Sequence, residues 1–457
     1  MMATSESVLP DLKDTFMSFD NARKYRIRGG QTLEGTVTLT GAKNAISKQL
    51  IASLLTDEPC VLSNVPRMTE IHVVLEMLRE IGTLYRWLDE DTLEIQTPTI
   101  TRSEVSQKYS GFNRIPILML APLIHRAGSV TVPTVGGCVI GERPLDFHMS
   151  GLRQMGADIR IEGQSYVADG RHLRGTNLTL PYPSVGATEN LLIAATLARG
   201  TTVIHNAAVE PEIIDTILFL QKMGALITVD VDRRIIVEGV EKLHGARHRC
   251  IPDRIEAASF AVLAVITDGR ITLKNARQED LITFLNMLHK VGGGFSIEEE
   301  GMTFFRAAEK LRPVHLETDV HPGFMTDWQQ PFSILLTQAD GVSVIHETVY
   351  EKRFGYTAAL RSMGADIELM TACLGHKNCR FLNRDHQHSC IIKGATPLKG
   401  GNIEIPDLRA GFAYLISALV AEGESEITGI RYIERGHAHL PEKIRALGGA
   451  LTVVEGE

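Results

Sequence analysis

The sequence predicts an α/β fold made of six copies of one helix-and-strand unit, divided into two domains of three units each. Three observations support this prediction. One short phrase recurs six times, the same order of helix and strand patterns precedes each copy, and a chain of 457 residues is long for a single hydrophobic core.

The repeated phrase is a helical turn that ends in an apolar residue, a glycine and a small residue. Glycine adopts the left-handed conformation that caps a helix without steric cost, so each phrase predicts the end of a helix just before a strand. A spacing of 68 to 84 residues indicates one supersecondary unit repeated along nearly the whole chain. The six glycines are Gly82, Gly156, Gly224, Gly292, Gly364 and Gly448.

Each unit opens with a helix, continues with a short strand and a loop, and closes with the helix that ends in the phrase. In the first unit, Ile46, Leu50 and Leu54 fall on one helical face, and a strand is predicted over 60–64. Because both helices of each unit have strongly apolar faces, we expect the helices to pack inside and the sheets to lie outside.

Six units divide naturally into two domains of three. The chain is expected to cross between them near Gly41, where the first unit opens, and near 249–252, where the fourth opens. This predicts one domain of 25–43 together with 253–457, a second domain of 44–252, and a mobile N-terminal extension over 1–24. Ligands are expected in the cleft between the domains.

Composition and charge exclude several classes of protein. A net charge of −8 argues against nucleic acid as a partner, since proteins that bind phosphate backbones do so with clustered lysine and arginine residues. The longest apolar run, 115–124, is too short to span a bilayer, so no membrane partner is expected. The first 24 residues do not resemble a secretory signal, and six irregularly spaced cysteines fit reduced thiols. These features predict a cytoplasmic protein.

Polar residues recur where the first helix of each unit begins. Such helix starts carry free backbone N–H groups and partial positive charge, so several of them facing one cleft predict a phosphate or diphosphate site. Lys43, Arg114 and Arg409 strengthen this prediction, because cations at helix starts oppose the helix dipole unless an anion is bound. Ser184 and Asp253 are equally well explained as helix caps.

Two further residues point to proton transfer. Asp327 is an acidic residue among cationic helix starts, where it can accept a proton from a substrate hydroxyl or act as a helix cap. Cys138 lies in a glycine-flanked loop near Arg143. A nearby arginine can lower the pKa of a thiol from about 8.5, because its positive charge stabilises the thiolate. Free cysteines are usually buried and inert, but these neighbours favour an acid or a nucleophile.

Several strings, in order from about Tyr25 to Leu451, resemble the enolpyruvyl transferase family. They are Gly41-Ala-Lys-Asn44, Gly136-Gly-Cys-Val-Ile-Gly-Glu-Arg-Pro-Leu-Asp146, Ser184-Val-Gly-Ala-Thr188, Pro211-Glu-Ile-Ile-Asp215, Pro252-Asp-Arg-Ile-Glu256, Thr326-Asp327, Asp407-Leu-Arg409 and Glu434-Arg-Gly436. The resemblance implies a two-domain, inside-out α/β barrel of six units. It also implies an enzyme of peptidoglycan synthesis, which transfers enolpyruvyl from phosphoenolpyruvate to the 3-hydroxyl of UDP-N-acetylglucosamine and releases phosphate. No cofactor or metal ion is required by that reaction.

The same resemblance implies roles for individual residues. Asp327 would be the base for the hydroxyl, and Cys138 the general acid that can also form an adduct with phosphoenolpyruvate and react with fosfomycin. The groups that hold phosphoenolpyruvate would be Lys43, Arg143, Arg409 and Arg435, of which Lys43 and Arg435 also count as catalytic. The remaining substrate contacts would be Asn44, Arg114, Pro144, Leu145, Asp146, Phe147, Ser184, Val185, Gly186, Val349 and Arg353, together with Arg143 and Asp327.

Some positions depart from the usual family pattern. Val135 replaces a common proline, and Tyr182 stands where some members have lysine near the uridine. Tyr182 leaves open a different uridine nucleotide or nucleotide sugar as the acceptor. An inactive homologue that only binds UDP-sugars is a further hypothesis, but the presence of Lys43, Cys138 and Asp327 together argues against it.

An apparent insertion, roughly 373–400, widens the sixth unit in this interpretation. It contains Cys373, His376, Cys379, His386, His388 and Cys390. Their spacing can form a zinc site, yet it is not that of a paired-cysteine knuckle. A polar surface loop is therefore the favoured interpretation, and no metal site is assigned.

Overall fold

The computed structural model describes residues 23–134, 145–376, 379–405 and 411–455. The predicted N-terminal extension, 1–24, lies outside these ranges except for its last two residues. Arg23 and Lys24 open the first strand, so the extension was predicted two residues too long.

The first half of the described chain alternates strands and helices in the predicted order. Its elements are β1 (Arg23–Arg28), β2 (Glu34–Thr38), α1 (Lys43–Ala52), β3 (Cys60–Ser63), α2 (Thr69–Glu80), β4 (Leu84–Trp87), β5 (Leu93–Gln96), α3 (Leu120–Ala127), β6 (Ser129–Pro133), α4 (Asp146–Gln154), β7 (Asp158–Glu162), β8 (Ser165–Asp169), β9 (Asn177–Thr179), α5 (Val185–Ala195), β10 (Thr201–His205), α6 (Pro211–Lys222), β11 (Leu226–Asp230), β12 (Arg234–Glu238) and β13 (Arg247–Arg249).

The second half repeats the same alternation. Its elements are α7 (Arg254–Ile266), β14 (Arg270–Lys274), α8 (Ile282–Val291), β15 (Gly293–Glu298), β16 (Gly301–Arg306), β17 (His315–Glu317), α9 (Gln329–Thr337), β18 (Gly341–His346), α10 (Thr357–Ser362), β19 (Asp366–Met370), β20 (Ser389–Gly394), β21 (Asn402–Glu404), α11 (Gly411–Val420), β22 (Glu424–Thr428), α12 (Arg431–Gly436), α13 (Leu440–Ala446) and β23 (Ala450–Glu455).

Within the described residues the strands form six sheets, one for each predicted unit. Their strand orders are β13-β3-β5-β4, β6-β8-β7, β11-β12-β10-β9, β15-β16-β14-β2, β17-β18-β20-β19 and β21-β22-β1-β23. In every four-stranded sheet one edge strand runs parallel to its neighbour and the other pairs are antiparallel. The α/β class and the sixfold repeat are therefore confirmed.

The six glycines of the repeated phrase occupy the conformation predicted for them. Their φ angles are positive, from 88° to 112°. Each follows the last residue of its helix by one or two positions and precedes a strand. Since other residues adopt these angles only with strain, the glycines end the helices at these points.

The helices that open the units are the most deeply buried elements. All nine residues of α9 and all but one of the thirteen in α7 are buried. No helix among the described residues combines the length and the apolar composition needed to span a bilayer.

Buried apolar residues form two clusters. One contains residues between 42 and 251 together with Ala438, and the other contains residues of 25–39 and of 257–451. We propose on this basis the division predicted from the sequence, with one domain of 25–43 and 253–457 and another of 44–252.

The two chain segments that cross between these clusters lie side by side. Gly41 pairs with Pro252 in an antiparallel bridge, and the Ala42 N–H donates to the Ile251 carbonyl at 2.7 Å. A Cβ atom on residue 41 would lie 1.8 Å from the Asn64 carbonyl oxygen, so glycine is required there. In the proposed division these two segments are the crossings between the domains.

The insertion belongs to a different unit from the one predicted. Residues 371–388 connect β19 to β20, and both strands belong to the fifth sheet, where they pair with each other. The assignment to the sixth unit was wrong, because the sequence does not show that β20 returns to pair with β18 before the sixth unit begins.

Candidate active site

A cavity of about 590 Å³ is lined by residues from both proposed domains. Helix starts surround it, as the repeat predicts. Ten of the residues predicted for the site line it, namely Lys43, Asn44, Arg114, Phe147, Ser184, Val185, Gly186, Asp327, Val349 and Arg435.

The remaining predicted residues fall into two groups. Cys138, Arg143, Pro144 and Arg409 lie outside the described residues. Leu145, Asp146 and Arg353 are described but do not line the cavity. Asp146 is the first residue of α4 and is exposed, whereas the Arg353 side chain is completely buried.

One end of the cavity holds a cluster of opposite charges around Glu70. The Glu70 carboxylate lies 3.5 Å from Lys43 Nζ and accepts a hydrogen bond from Arg435 Nε at 3.1 Å. Burial by itself would raise the pKa of Glu70, but the nearby cations Lys43, Arg435 and Lys48 outweigh it, and its pKa is lowered. Glu70 therefore stays ionised and orients the two cations predicted to bind an anion.

Arg435 connects the two proposed domains at this point. It comes from α12, while its partners Glu70 and Phe112 belong to the other proposed domain. Its Nη2 atom donates to the Phe112 carbonyl at 2.6 Å, and its guanidinium lies 4.1 Å from the centre of the Phe112 ring. These contacts hold the cation beside Lys43 at the cavity wall.

Asp327 lies in a short 3-10 helix, 326–328, directly before α9. The N-cap positions of these two helices are Met325 and Trp328. Asp327 is therefore not a helix cap, which was one of the two roles that the sequence allowed for it. Arg353 donates to its Oδ1 atom at 2.5 Å and also to the Gln330 side chain at 3.0 Å. Arg353 is thus placed behind Asp327, where it orients the carboxylate.

The predicted helix caps are present beside the cavity. The Ser184 side chain accepts from the Ala187 N–H at 3.4 Å at the start of α5, and the Asp253 carboxylate accepts from the Ile255 N–H at 2.8 Å. Ser184 leaves other N–H groups at this helix start for a ligand, because a cap satisfies only part of the first turn. The start of α5 therefore suits a phosphate group.

Sequence reasoning missed a set of buried charges in the cavity wall. Arg254 and Glu212 form a bidentate pair at 2.9 and 3.0 Å, which links α7 to α6 across the proposed domain boundary. Both residues lie within strings that carried the family resemblance. Their pairing had no local signal in the sequence, since it depends on how two helices from the two proposed domains meet.

Glu189 is a buried carboxylate at the same wall. Lys48 Nζ lies 3.7 Å away, and neither carboxylate oxygen has a hydrogen-bond partner among the described residues. Burial raises the pKa of Glu189 to about 7, although Lys48 opposes this shift. The residue therefore carries a proton across much of the neutral range.

Replacing Glu189 by glutamine should make stability less dependent on pH. An unfolded glutamate ionises near pH 4.5, whereas the folded one keeps its proton to about pH 7, so wild-type stability falls as pH rises through this window. At pH 8.5 the variant should be more stable by roughly 2–3 kcal/mol, with little difference at pH 4. Urea unfolding at both pH values measures this. Glu309→Gln, on the surface, controls for net charge, and an equal change at both pH values would contradict the prediction.

Two arginines of the insertion also line the cavity, which the sequence did not predict. They are Arg380 and Arg384. The Arg380 guanidinium lies 5.0 Å from the centre of the Tyr182 ring and pairs with Glu351 at 2.8 Å. The insertion thus adds positive charge to the wall that contains Tyr182.

Comparisons with known proteins agree with the family that the sequence resembles. The sequence model of the family described as EPSP synthase (3-phosphoshikimate 1-carboxyvinyltransferase) matches residues 27–444. A UDP-N-acetylglucosamine 1-carboxyvinyltransferase of Protochlamydia amoebophila is 51% identical over 439 residues, 94% of each chain. Proteins of the same name from Chlamydia abortus and Actinobacillus succinogenes are 51% and 38% identical, over 93% and 94% of this chain and 96% and 98% of their own.

Solved structures show the same fold at low sequence identity. The enolpyruvyl transferase NikO from Streptomyces tendae has a TM-score of 0.84 at 21% identity, over 96% of this chain and 100% of that one. EPSP synthase from Acinetobacter baumannii has a TM-score of 0.75 at 18% identity, over 95% and 100%. Both agree with the α/β architecture described above.

Proposed function

Since the chain belongs to the EPSP synthase family of enolpyruvyl transferases, we propose that it transfers the enolpyruvyl group of phosphoenolpyruvate to the 3-hydroxyl of UDP-N-acetylglucosamine. Phosphate is the second product. This is the first committed step of peptidoglycan synthesis, on which cell shape and division depend. Curated relatives that are 51% identical to this chain carry the name of this activity.

The observation that carries the proposal is the placement of Asp327, Lys43 and Arg435 in one cavity. A carboxylate base and an anion-binding pair are the groups that an addition to phosphoenolpyruvate needs. Lys43 and Arg435 suit the carboxylate and phosphate of this substrate. Arg114 and the start of α5 suit the diphosphate of the nucleotide sugar, and Val349 also lines the cavity.

The reaction proceeds by addition and elimination. A proton adds to C3 of phosphoenolpyruvate, positive character develops at C2, and the sugar hydroxyl oxygen forms a bond to C2 as Asp327 takes its proton. The C2–O bond to phosphate then breaks, phosphate leaves, and C3 loses a proton to restore the double bond. The cations stabilise the negative charge of the substrate throughout, while the cavity holds the reacting groups together.

The proton donor to C3 is proposed to be Cys138, which lies outside the described residues. Fosfomycin should therefore alkylate Cys138 and abolish turnover, because an activated thiol attacks the epoxide. Intact-mass analysis after incubation with fosfomycin and the nucleotide sugar should show one adduct per chain. Cys138→Ala is the control that should show none. Absence of the adduct on the wild-type chain would argue against a reactive thiol.

Phosphate release tests the substrate assignment directly. The protein is mixed with phosphoenolpyruvate and, in separate reactions, with UDP-N-acetylglucosamine, other UDP-sugars or UMP. Release only with UDP-N-acetylglucosamine supports the proposal, and release only with another acceptor supports the alternative left open by Tyr182. No release with any acceptor would indicate an inactive homologue.

We further propose that the enzyme works in the cytoplasm on these two small molecules. The described cysteines are all free thiols, as expected for a reducing compartment. Neither a nucleic acid nor a membrane partner is part of the proposal.

A further inference from the structure

Four metal-binding side chains converge outside the cavity, between the fifth sheet and the insertion. They are His346 at the end of β18, His388 immediately before β20, and Cys373 and Cys379 from the insertion. One ligand atom from each lies within 4.8 Å of all the others. Cys373 Sγ is 3.1 Å from His388 Nε2.

The hydrogen bonds of His346 fix which ring nitrogen carries its proton. Ser389 Oγ donates its only hydrogen to the Ala372 carbonyl at 2.6 Å, so at 2.9 Å from His346 Nδ1 it must act as the acceptor. Nδ1 therefore carries the proton, and Nε2 has a free lone pair. This Nε2 atom is buried and has no hydrogen-bond partner among the described residues.

His388 has the same arrangement. Its Nδ1 atom lies 2.6 Å from the His386 carbonyl oxygen, which only accepts, so Nδ1 again carries the proton and Nε2 does not. A ring nitrogen held in this way by an oxygen is typical of histidines that bind metals through the other nitrogen. The Phe381 N–H donates to Cys379 Sγ at 3.3 Å.

We propose that His346, Cys373, Cys379 and His388 bind one zinc ion. Two sulfur and two nitrogen donors are a common tetrahedral zinc set, for which bond lengths of about 2.3 Å to sulfur and 2.0–2.1 Å to nitrogen apply. The ligand atoms of such a site lie roughly 3.3–3.8 Å apart, so donors already within 4.8 Å need to move little. Binding releases the two thiol protons, and two thiolates neutralise the charge of the ion.

The site has a structural role in this proposal. All four donors are protein side chains, which is the closed arrangement of structural rather than catalytic zinc. His346 ends β18 and His388 immediately precedes β20, which pairs with β18, so these two ligands hold the two cysteines of the insertion beside the fifth sheet. Cys379 directly precedes Arg380. Zinc therefore holds the segment that places Arg380 against Tyr182 at the cavity wall. This role depends on the cavity geometry and holds whichever acceptor the enzyme uses.

Metal content is the first test. The full chain, without an affinity tag, is purified without chelator and measured by elemental mass spectrometry, and one zinc per chain is expected. The Co²⁺-substituted wild-type protein should show the near-ultraviolet thiolate-to-cobalt band of a tetrahedral site. Wild-type protein that neither contains zinc nor takes up one equivalent in competition with a chromophoric chelator would overturn the proposal. So would a Cys373–Cys379 disulfide in freshly purified protein.

Variants then locate the ion. The double variant Cys373→Ser, Cys379→Ser should lose at least nine-tenths of the zinc, while Cys390→Ala, a buried cysteine outside the cluster, should keep it. His376→Asn removes a ligand of an adjacent exposed group and should also keep it. Loss of zinc in His376→Asn but not in the double variant would overturn the assignment. If the double variant does not fold, the cobalt spectrum of the wild type decides whether thiolates bind the metal.

Limited proteolysis tests the structural role. Removal of zinc with a chelator should raise the rate of tryptic cleavage after Arg380 and Arg384 at least tenfold, because the segment would lose its anchor. The rate of cleavage elsewhere, and the rate in the Cys390→Ala variant before chelation, serve as controls. Unchanged cleavage in protein shown to have lost its zinc would mean that the ion does not hold this segment.

Discussion

Replacing Asp327 by asparagine is expected to lower kcat by roughly 10²- to 10⁴-fold, with a much smaller effect on KM. Asparagine keeps the size and a hydrogen-bonding oxygen of aspartate but cannot accept the proton of the sugar hydroxyl. Steady-state phosphate release at saturating substrate concentrations measures the change. The low-pH limb of the kcat profile should disappear together with the carboxylate.

The contact between Arg353 and Asp327 provides a second variant that tests the same carboxylate. Because Arg353 is fully buried and donates to the Asp327 carboxylate, replacing it should affect kcat through the position of that group. Arg353→Lys should therefore lower kcat less than Asp327→Asn and should keep the low-pH limb. Asp340→Asn, at an exposed surface site, controls for the change of charge. Asp327→Asn enzyme with more than a tenth of wild-type kcat would show that another group is the base.

Replacing Glu212 by glutamine is expected to lower the free energy of unfolding by about 3–5 kcal/mol. The substitution keeps the shape of the side chain but leaves the positive charge of Arg254 without its bidentate partner. Both residues are at most 3% exposed, so water cannot compensate for the loss. Urea unfolding followed by circular dichroism measures the effect, with equal slopes required for the comparison.

A surface pair provides the matched control for this prediction. Arg445 and Glu442 are 3.0 Å apart but are 46% and 61% exposed, so Glu442→Gln should cost less than about 1 kcal/mol. The double variant Glu212→Met, Arg254→Met should recover part of the stability lost in Glu212→Gln, since no unpaired charge is then buried. A loss below 1 kcal/mol in Glu212→Gln would mean that neighbouring carboxylates compensate for Arg254.

The glycine phrases and the cavity residues illustrate what could be predicted from the sequence. A glycine after an apolar helical turn marks the end of a helix, because glycine readily adopts the left-handed conformation found there. The repeat then predicts where each helix begins, since the units have similar lengths. The repeat suggested a cleft surrounded by helix starts, and the family resemblance supplied most of the individual residues, ten of which line the cavity. The unit that contains the insertion was assigned wrongly, because strand pairing over long distances leaves no local pattern.

The roles of buried partners could not be predicted in this way. Arg353 was predicted to contact the substrate, but its side chain lies behind Asp327. Glu70 was not predicted at all, although it orients two cations. Glu70 is 365 residues from Arg435, and no periodicity or motif relates positions so far apart.

The sequence by itself determined the α/β class, the six units, the ends of their helices and the chemical types of the residues around the cleft. The class, the units and the helix ends follow from backbone preferences and apolar periodicity, which act over a few residues, whereas most residues around the cleft were assigned from the family resemblance. Only the tertiary structure decided that Arg435 meets Glu70 and that His346 joins two cysteines of the insertion. Such pairs form when separate units pack together. Burying a charge or a lone pair costs free energy, and only a partner that the packing brings within contact distance can offset that cost.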